Sequence, residues 1–416
     1  MKNRIIFHCD CDCFFASVEQ TFHPEYKNVP MAIAGDPKSR RGIILAKNQL
    51  AKGFGIKTAE TVWAAQQKCP ELLLAPPRRR AYGEFCDRVN AIYEEYTDLV
   101  ERAGIDESFL DVTGCLHGFQ NDPLLLAREL QARIEREIGI TVSIGISWNK
   151  IFAKLGSDRN KPSGIFVVTR ENFRETVWPL PVTELFLVGR NTAAALKKIG
   201  ITTIGELAQA DRLFLRQTFG KMGDQLHINA AGKECGAVRR TNEAEQVKSV
   251  GNGLTFSRDL VTRDEIHTGV LALCHSVARR LRRAGLRCMT VQVTIKDTSL
   301  RSIQRQKSIA RPTFLASELI DTAMEIIQAN WQAGKPIRLI TVTAQNLVPA
   351  EETAEQLSFF APDEGGSKKA ESLAKATDAI RTKYGKYSIL PGVILHNDLG
   401  ITDRDEEDDE DGNKHK

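Results

Sequence analysis

The sequence predicts an α+β, multidomain protein, and three observations carry that prediction. Its 416 residues exceed one ordinary domain and point to two to four. Strand and helix patterns alternate through about residue 170, which argues for an α/β or α+β core. Beyond a helical stretch, residues 245–348 show two-residue alternation between long helical patterns, the mark of a second α+β domain.

The elements follow in order. Residues 4–18 read as a strand running into a helix, and 19–77 mix basic loops with short helical patterns. FCDRVNAIYEEYTDLV has the apolar spacing of a helix within 84–100. AGIDESFLDVTG reads as a strand, a helix is expected at about 123–138, and ITVSIGISWNKIFAKLGSD supplies a further strand and helix. Residues 180–235 read as helix, Gly turn, helix, followed by a linker, KECGAVRRTNEAEQ. In 245–348 helices are expected at 264–284 and 314–333, and strands near 288–296, 301–310 and 338–346. After Pro349 the composition turns polar and acidic, and a flexible tail is expected, with one short amphipathic helix in ESLAKATDAIRTKYGKYSIL.

Composition narrows the class. The chain is 42% hydrophobic and 26% charged, as soluble globular proteins are. No run of eighteen apolar residues occurs, so no membrane span is expected. The N-terminal MKNRIIFHCD lacks the apolar core of a signal peptide, and the expected location is the cytoplasm. Nine scattered cysteines point to reduced thiols, not a disulfide framework. Net charge is +4, yet the segment from Asp403 onward is acidic, so the body is more basic than the whole. A basic body points to a polyanionic partner.

Two stretches carry chemistry. In HCDCDCFF, His8, Asp10 and Asp12 alternate with Cys9, Cys11 and Cys13. Three readings compete. A tetrahedral zinc site would need paired cysteine spacings, which are missing here. Redox chemistry is disfavoured because adjacent acids raise a thiol's pKa. The third reading puts carboxylates on one face and packs the thiols against a core. GIDESFLD holds Asp106 and Glu107, with Asp111 four residues on. Carboxylates converging from two strands repel one another, and a hard divalent cation such as Mg²⁺ relieves that repulsion. Ordinary surface aspartates remain the alternative for either stretch alone.

DCDCFFASVE followed by IDESFLD resembles the Y family of translesion DNA polymerases, whose pattern is D-x-D-x-F/Y-F/Y-A-x-V-E and then S-x-D-E about a hundred residues later. The resemblance spans roughly residues 4–360. It implies a right-hand polymerase: a catalytic palm from 1–18 and 78–170, fingers from 19–77, a helical thumb at 171–238 with a helix-hairpin-helix, a linker at 239–244, a little finger at 245–348, and a tail at 349–416. It implies that Asp10, Asp106, Glu107 and the backbone carbonyl of Cys11 hold two Mg²⁺ ions, with Glu107 nearest the primer 3′-hydroxyl and Asp12 standing behind. Phe15 matches the residue that rejects a ribose 2′-hydroxyl. Lys52 and Gln49 match an Arg and a Tyr of the family's triphosphate clamp, and Lys161 matches its A-K-P-N/S-G-I lysine. Gly104 stands where the family has Ser.

Further partners follow from the same resemblance. In LVGRNTAAALKKIGI, Gly189 and Thr192 fit a hairpin that meets DNA phosphate, although Leu187 replaces the first hairpin glycine. Arg301, Arg305 and Lys307 share a strand parity and form a candidate positive stripe for duplex backbone. Gln356, Leu357, Ser358, Phe359 and Phe360 resemble a bacterial sliding-clamp peptide. The expected enzyme is a monomer that extends primer-template DNA with dNTPs and lacks proofreading. A UmuC-type subunit, a non-catalytic DNA- and clamp-binding relative, and a metal-dependent nuclease are the alternatives.

Overall fold

The computed structural model describes residues 4–37, 40, 42–234, 236–243, 246–351, 364–385, 388–395 and 397–401. The chain divides into two compact units near residue 244.

Eight described strands lie in the first unit: β1 (Ile6–Cys11), β2 (Met31–Ala34), β3 (Ile44–Lys47), β4 (Leu73–Ala75), β5 (Val100–Arg102), β6 (Glu107–Asp111), β7 (Val142–Ser147) and β8 (Ile165–Val167). Five form one sheet in the order β5-β6-β1-β7-β8, with β1 central and antiparallel to both neighbours. Phe7, Cys9 and Cys11 point to one face. They enter a core with Val89, Ile92 and Tyr93 of the helix Arg79–Glu94 and with Leu126, Leu130 and Ile134 of the helix Pro123–Ile138. The latter helix starts where expected because Asp122 caps it and Pro123 opens it, and it stops at Gly139. Its apolar residues recur every fourth position and form one stripe, each contributing roughly 2 kcal/mol on burial.

The other face of β1 lies under the helix Lys150–Arg159, which Asn149 caps by accepting from the Phe152 N–H at 2.8 Å. Gly145 of β7, paired with His8, permits this packing. A Cβ on Gly145 would stand 1.9 Å from the Ala153 carbonyl oxygen. Only glycine lets the helix backbone rest directly on the strand.

Residues 19–77 depart from the expected loops and short helices, because they also build a three-stranded sheet in the order β3-β2-β4. Strands of three or four residues are too short to show periodicity. Met31–Ala34 is buried at every position, so tertiary packing decides its conformation.

The second unit is a four-stranded antiparallel sheet. Its strands are β9 (Ser249–Leu260), β10 (Leu286–Lys296), β11 (Ser302–Thr313) and β12 (Ile337–Pro349), in the order β11-β10-β12-β9. The helices Arg263–Arg283 and Ala316–Asn330 cover the face that carries Val291, Val293, Ile295, Ile340 and Val342. β9 goes unread in the sequence because Gly251 and Gly253 oppose strand propensity. Their missing side chains leave room for the hydroxyls of Thr343 and Thr341, which approach within 2.7 and 2.4 Å of where a Cβ would sit.

The expectation of a flexible tail after Pro349 needs correction. The helix Glu364–Tyr384 docks on this unit, longer than the short helix expected there. Arg282 grips Asp378 with two hydrogen bonds of 2.6 and 3.0 Å, and Arg287 grips Glu371 at 2.7 and 2.9 Å. Leu399 is buried in the same core. Polar composition concealed this because two forked ion pairs and a few apolar side chains suffice to seat the helix. Among the described residues, no helix is long and apolar enough to cross a membrane.

Candidate active site

Asp10 and Glu107 face each other directly across the β1–β6 ladder. Asp106 precedes β6, and its carbonyl accepts the Cys11 N–H at 2.9 Å. The Glu107 carbonyl accepts from the Ala103 and Gly104 N–H groups at 2.9 and 3.1 Å, closing the turn. Three carboxylates from distant parts of the chain thus gather at the end of two strands. Gly104 keeps this crowd open, since a Cβ there would sit 3.1 Å from Glu107 Cγ and 3.4 Å from Asp106 Oδ1.

Their electrostatics are unequal. Burial pushes Asp10 up to about 6 although Lys161 opposes the shift, and the charges of Asp158 and Asp106 add to it. Burial and then Glu107 raise Asp106. Glu107 is instead held down at about 2 by His8 and Lys154. The site therefore pulls positive charge toward itself. Lys154 stands on Glu107. Lys161 Nζ lies 2.7 Å from Asp10 Oδ2 and 2.9 Å from Asp158 Oδ1. Oxygen donors that repel one another and draw in ammonium groups fit a hard divalent cation.

Asp12 does not join Asp10 on an open face. β1 ends at Cys11, Cys13 adopts a left-handed φ of 49°, and the Asp12 carboxylate turns inward. It accepts hydrogen bonds from the Thr141 and Ser143 hydroxyls at 2.9 and 2.8 Å and from the Ser163 N–H at 2.8 Å. Asp12 therefore pins the turn that carries Lys161.

Burial keeps the thiols of the core in their neutral form. Burial pushes Cys9 up to about 12 and raises Cys11 and Cys86 as well. Among the described residues, the one group of acids, cysteines and histidines able to surround an ion is His8, Asp10 and Glu107, with no cysteine in it. His8 is not on an open face either, being fully buried under the helix Lys150–Arg159.

Phe15 is half-buried and stacks on Tyr82. Lys52 and Gln49 are exposed on the helix Gln49–Gly53, which the buried Asn48 caps and ties to β2. Lys47, Lys52 and Lys161 all act on the Cys13 thiol, lowering its pKa against the rise from burial. Cys13 stands at the N-cap of the helix Phe14–Phe22, so Lys47, Lys52 and Lys161 lie within electrostatic reach of a helix N-terminus, an arrangement suited to an anion. A cavity of about 290 Å³ opens beside it, lined by Asp12, Cys13, Gln49, Pro162 and Ser163 among others.

Gly189 caps the helix Arg190–Lys198 and is exposed, while Thr192 is half-buried. Leu187 takes a left-handed φ of 74° before it. Arg305 and Lys307 do share one face of β11, but it is the face of Ile303 and Ile309, which pack on the core, and Lys307 pairs with Glu325 of a covering helix. Arg301 precedes the strand. Strand parity shows which residues share a face, not which face the helices cover. The opposite face is uncharged there, with Gln304 and Gln306 beside Thr294 and Gln292. Gln356, Leu357, Ser358, Phe359 and Phe360 lie outside the described residues.

The impB/mucB/samB family pattern matches residues 9–158, and its C-terminal domain matches 247–359. A DNA polymerase IV of Acetivibrio thermocellus is 40% identical over 398 residues, covering 96% of this chain and 99% of the relative. The DNA polymerase IV 1 of Halalkalibacterium halodurans is 36% identical over 397 residues, covering 95% and 94%. A solved Y-family DNA polymerase chimera superposes with a TM-score of 0.73 at 25% identity, covering 83% of this chain and 99% of that one. The chain belongs to the Y family of DNA polymerases.

This Y-family enzyme is a DNA-directed DNA polymerase of the translesion class, and a divalent metal cofactor accompanies that identity. Beside its carboxylates stand His8 and Lys154, while Tyr82 backs Phe15 and Lys47 lies near Cys13; sequence reasoning gave none of the four a role. Two of them left a trace in the sequence. His8 shares the strand parity of Asp10, and Lys154 lies one helical turn after Lys150. Tyr82 and Lys47 had none, because their roles arise from contacts across the fold.

Proposed function

We propose that Asp10, Asp106, Glu107 and the Cys11 carbonyl hold two Mg²⁺ ions, and that the polymerase adds a dNTP to a primer 3′-hydroxyl. The observation that carries this reading is the facing of Asp10 and Glu107 across one ladder, with Asp106 adjoining. When bound, the ions would supply the positive charge that aligns hydroxyl and α-phosphate and neutralises the leaving pyrophosphate. Glu107, nearest the primer terminus, orients its hydroxyl. Lys161 leaves Asp10 for the triphosphate, which Lys52, Lys47, Gln49 and the N-terminus of the helix Phe14–Phe22 also receive. Phe15 closes the space a ribose 2′-hydroxyl needs.

Residues 1–18 and 78–170 serve as palm, 19–77 as fingers, 171–238 as thumb and 245–348 as little finger. Gly189 and Thr192 meet backbone phosphate. Arg301, Arg305 and Lys307 add sequence-independent charge from a sheet edge and the turn before it. The segment 356–360 tethers a cytoplasmic monomer to a sliding clamp, which raises its effective concentration at the primer end.

Primer extension tests the reading. The intact protein should lengthen a primer, and Asp106→Ala should stop extension while leaving DNA binding unchanged. Primer shortening would favour a nuclease, and a mobility shift without chemistry would favour a binder.

A further inference from the structure

His8 carries a ring nitrogen that the polymerase reading does not use. The residue is fully buried, with Nδ1 2.8 Å from Ser157 Oγ. The Ser157 hydroxyl donates to the Lys154 carbonyl at 2.8 Å. Its oxygen is therefore left to accept, and Nδ1 carries the ring proton. In the neutral ring Nε2 is then the unprotonated nitrogen; only the charged ring donates to Glu107 and holds that carboxylate down.

The Nε2 lone pair points into the carboxylates. Nε2 makes no hydrogen bond, although it lies 3.3 Å from Glu107 Oε2. Two electron-rich atoms at that separation repel unless a cation joins them. Asp10, opposite Glu107, completes the set, and one donor atom from each of the three lies within 4.8 Å of the others. Ligands held at about 2.1 Å from one ion span such distances.

We infer that His8 Nε2 is a direct ligand of a divalent cation shared with Glu107 and Asp10, and that this position prefers a first-row transition ion such as Mn²⁺ over Mg²⁺. The inference rests on the reading that these carboxylates hold a divalent cation. Imidazole suits transition ions, whereas Mg²⁺ takes oxygen ligands and keeps its waters. Ser157 fixes the ring's tautomer, as partners of metal-bound histidines do. Lys154 competes for Glu107 and is displaced when the ion arrives.

The test uses the full-length protein, without DNA, titrated with Mn²⁺ and followed by electron paramagnetic resonance. Bound Mn²⁺ should show coupling to an imidazole ¹⁴N. His8→Phe should abolish that coupling and lower the Mn²⁺/Mg²⁺ affinity ratio about tenfold. The wild-type spectrum decides the matter even if the variant misfolds. Bound Mn²⁺ without nitrogen coupling overturns the inference alone. Failure to bind Mn²⁺ at all overturns both the inference and the carboxylate reading beneath it.

Discussion

The ring of Phe15 lies stacked on Tyr82, with centroids 4.1 Å apart and planes 11° from parallel. Tyr82 is fully buried, and its hydroxyl donates to Glu19 Oε1 at 2.9 Å. The second Glu19 oxygen lies 3.1 Å from Arg78 Nε. A chain of contacts thus fixes Phe15 from behind. Phe15→Ala should raise ribonucleotide incorporation, and Tyr82→Leu should raise it less. Tyr82→Phe keeps the stacked ring and should cost about 1 kcal/mol of stability with discrimination retained. Single-nucleotide assays with rNTPs and dNTPs measure this, and an unchanged ratio in Phe15→Ala would remove the sugar role.

Asp12→Ala should act in two ways. It strands the Thr141, Ser143 and Ser163 donors, at about 3 kcal/mol in thermal or denaturant unfolding. It also frees the turn bearing Lys161, so the KM for dNTP should rise more than kcat falls. A KM that stays put would show that the turn holds its shape without Asp12.

Asp10 sets a pH dependence. Its carboxyl titrates near 6 in the fold against an ordinary value of 3.8. Between those values the folded, metal-free protein binds more protons than the unfolded chain. Asp10's contribution to stability therefore falls as pH rises through that window. Glu107, held near 2, acts oppositely: its contribution is present above about 4.5 and lost as pH falls toward 2. A divalent cation competes with the Asp10 proton, so the acid limb of primer extension should move to lower pH as Mg²⁺ is raised. An acid limb indifferent to Mg²⁺ concentration would assign that limb to another group.

Gly145→Ala should cripple the site without touching a charged group. The added carbon meets the Ala153 carbonyl at 1.9 Å, so the helix bearing Lys154 and Ser157 must lift. A loss of about 3 kcal/mol, together with loss of extension, is expected. Normal extension by this variant would mean the sheet tolerates a shifted helix.

In the second unit, Leu399→Ala should cost about 3 kcal/mol, because the residue fills a core otherwise built from residues 250–344. Arg282→Ala should loosen the helix Glu364–Tyr384 and expose it to proteolysis. Equal protection in wild type and variant would show that the ion pair with Asp378 contributes little.

The sequence by itself determined the strand that places Asp10, the second strand beginning at Glu107, and the helix Pro123–Ile138, because alternation, acid spacing and caps are local signals. It also showed that the cysteines of HCDCDC share a face. Only the tertiary structure decided what those faces meet. Cys9 and Cys11 enter the core with Tyr93, whereas His8 is sealed beneath Ser157, and neither neighbour is adjacent in the chain. Asp12 shows the same limit: its parity matched Asp10, but the strand ended one residue earlier and its carboxylate turned to Thr141, Ser143 and Ser163. The parity of Arg305 and Lys307 was likewise sound, yet the helices on the sheet chose which face they occupy. Periodicity is fixed by backbone geometry within a few residues, whereas burial and ion pairing are fixed by whatever packs across the sheet.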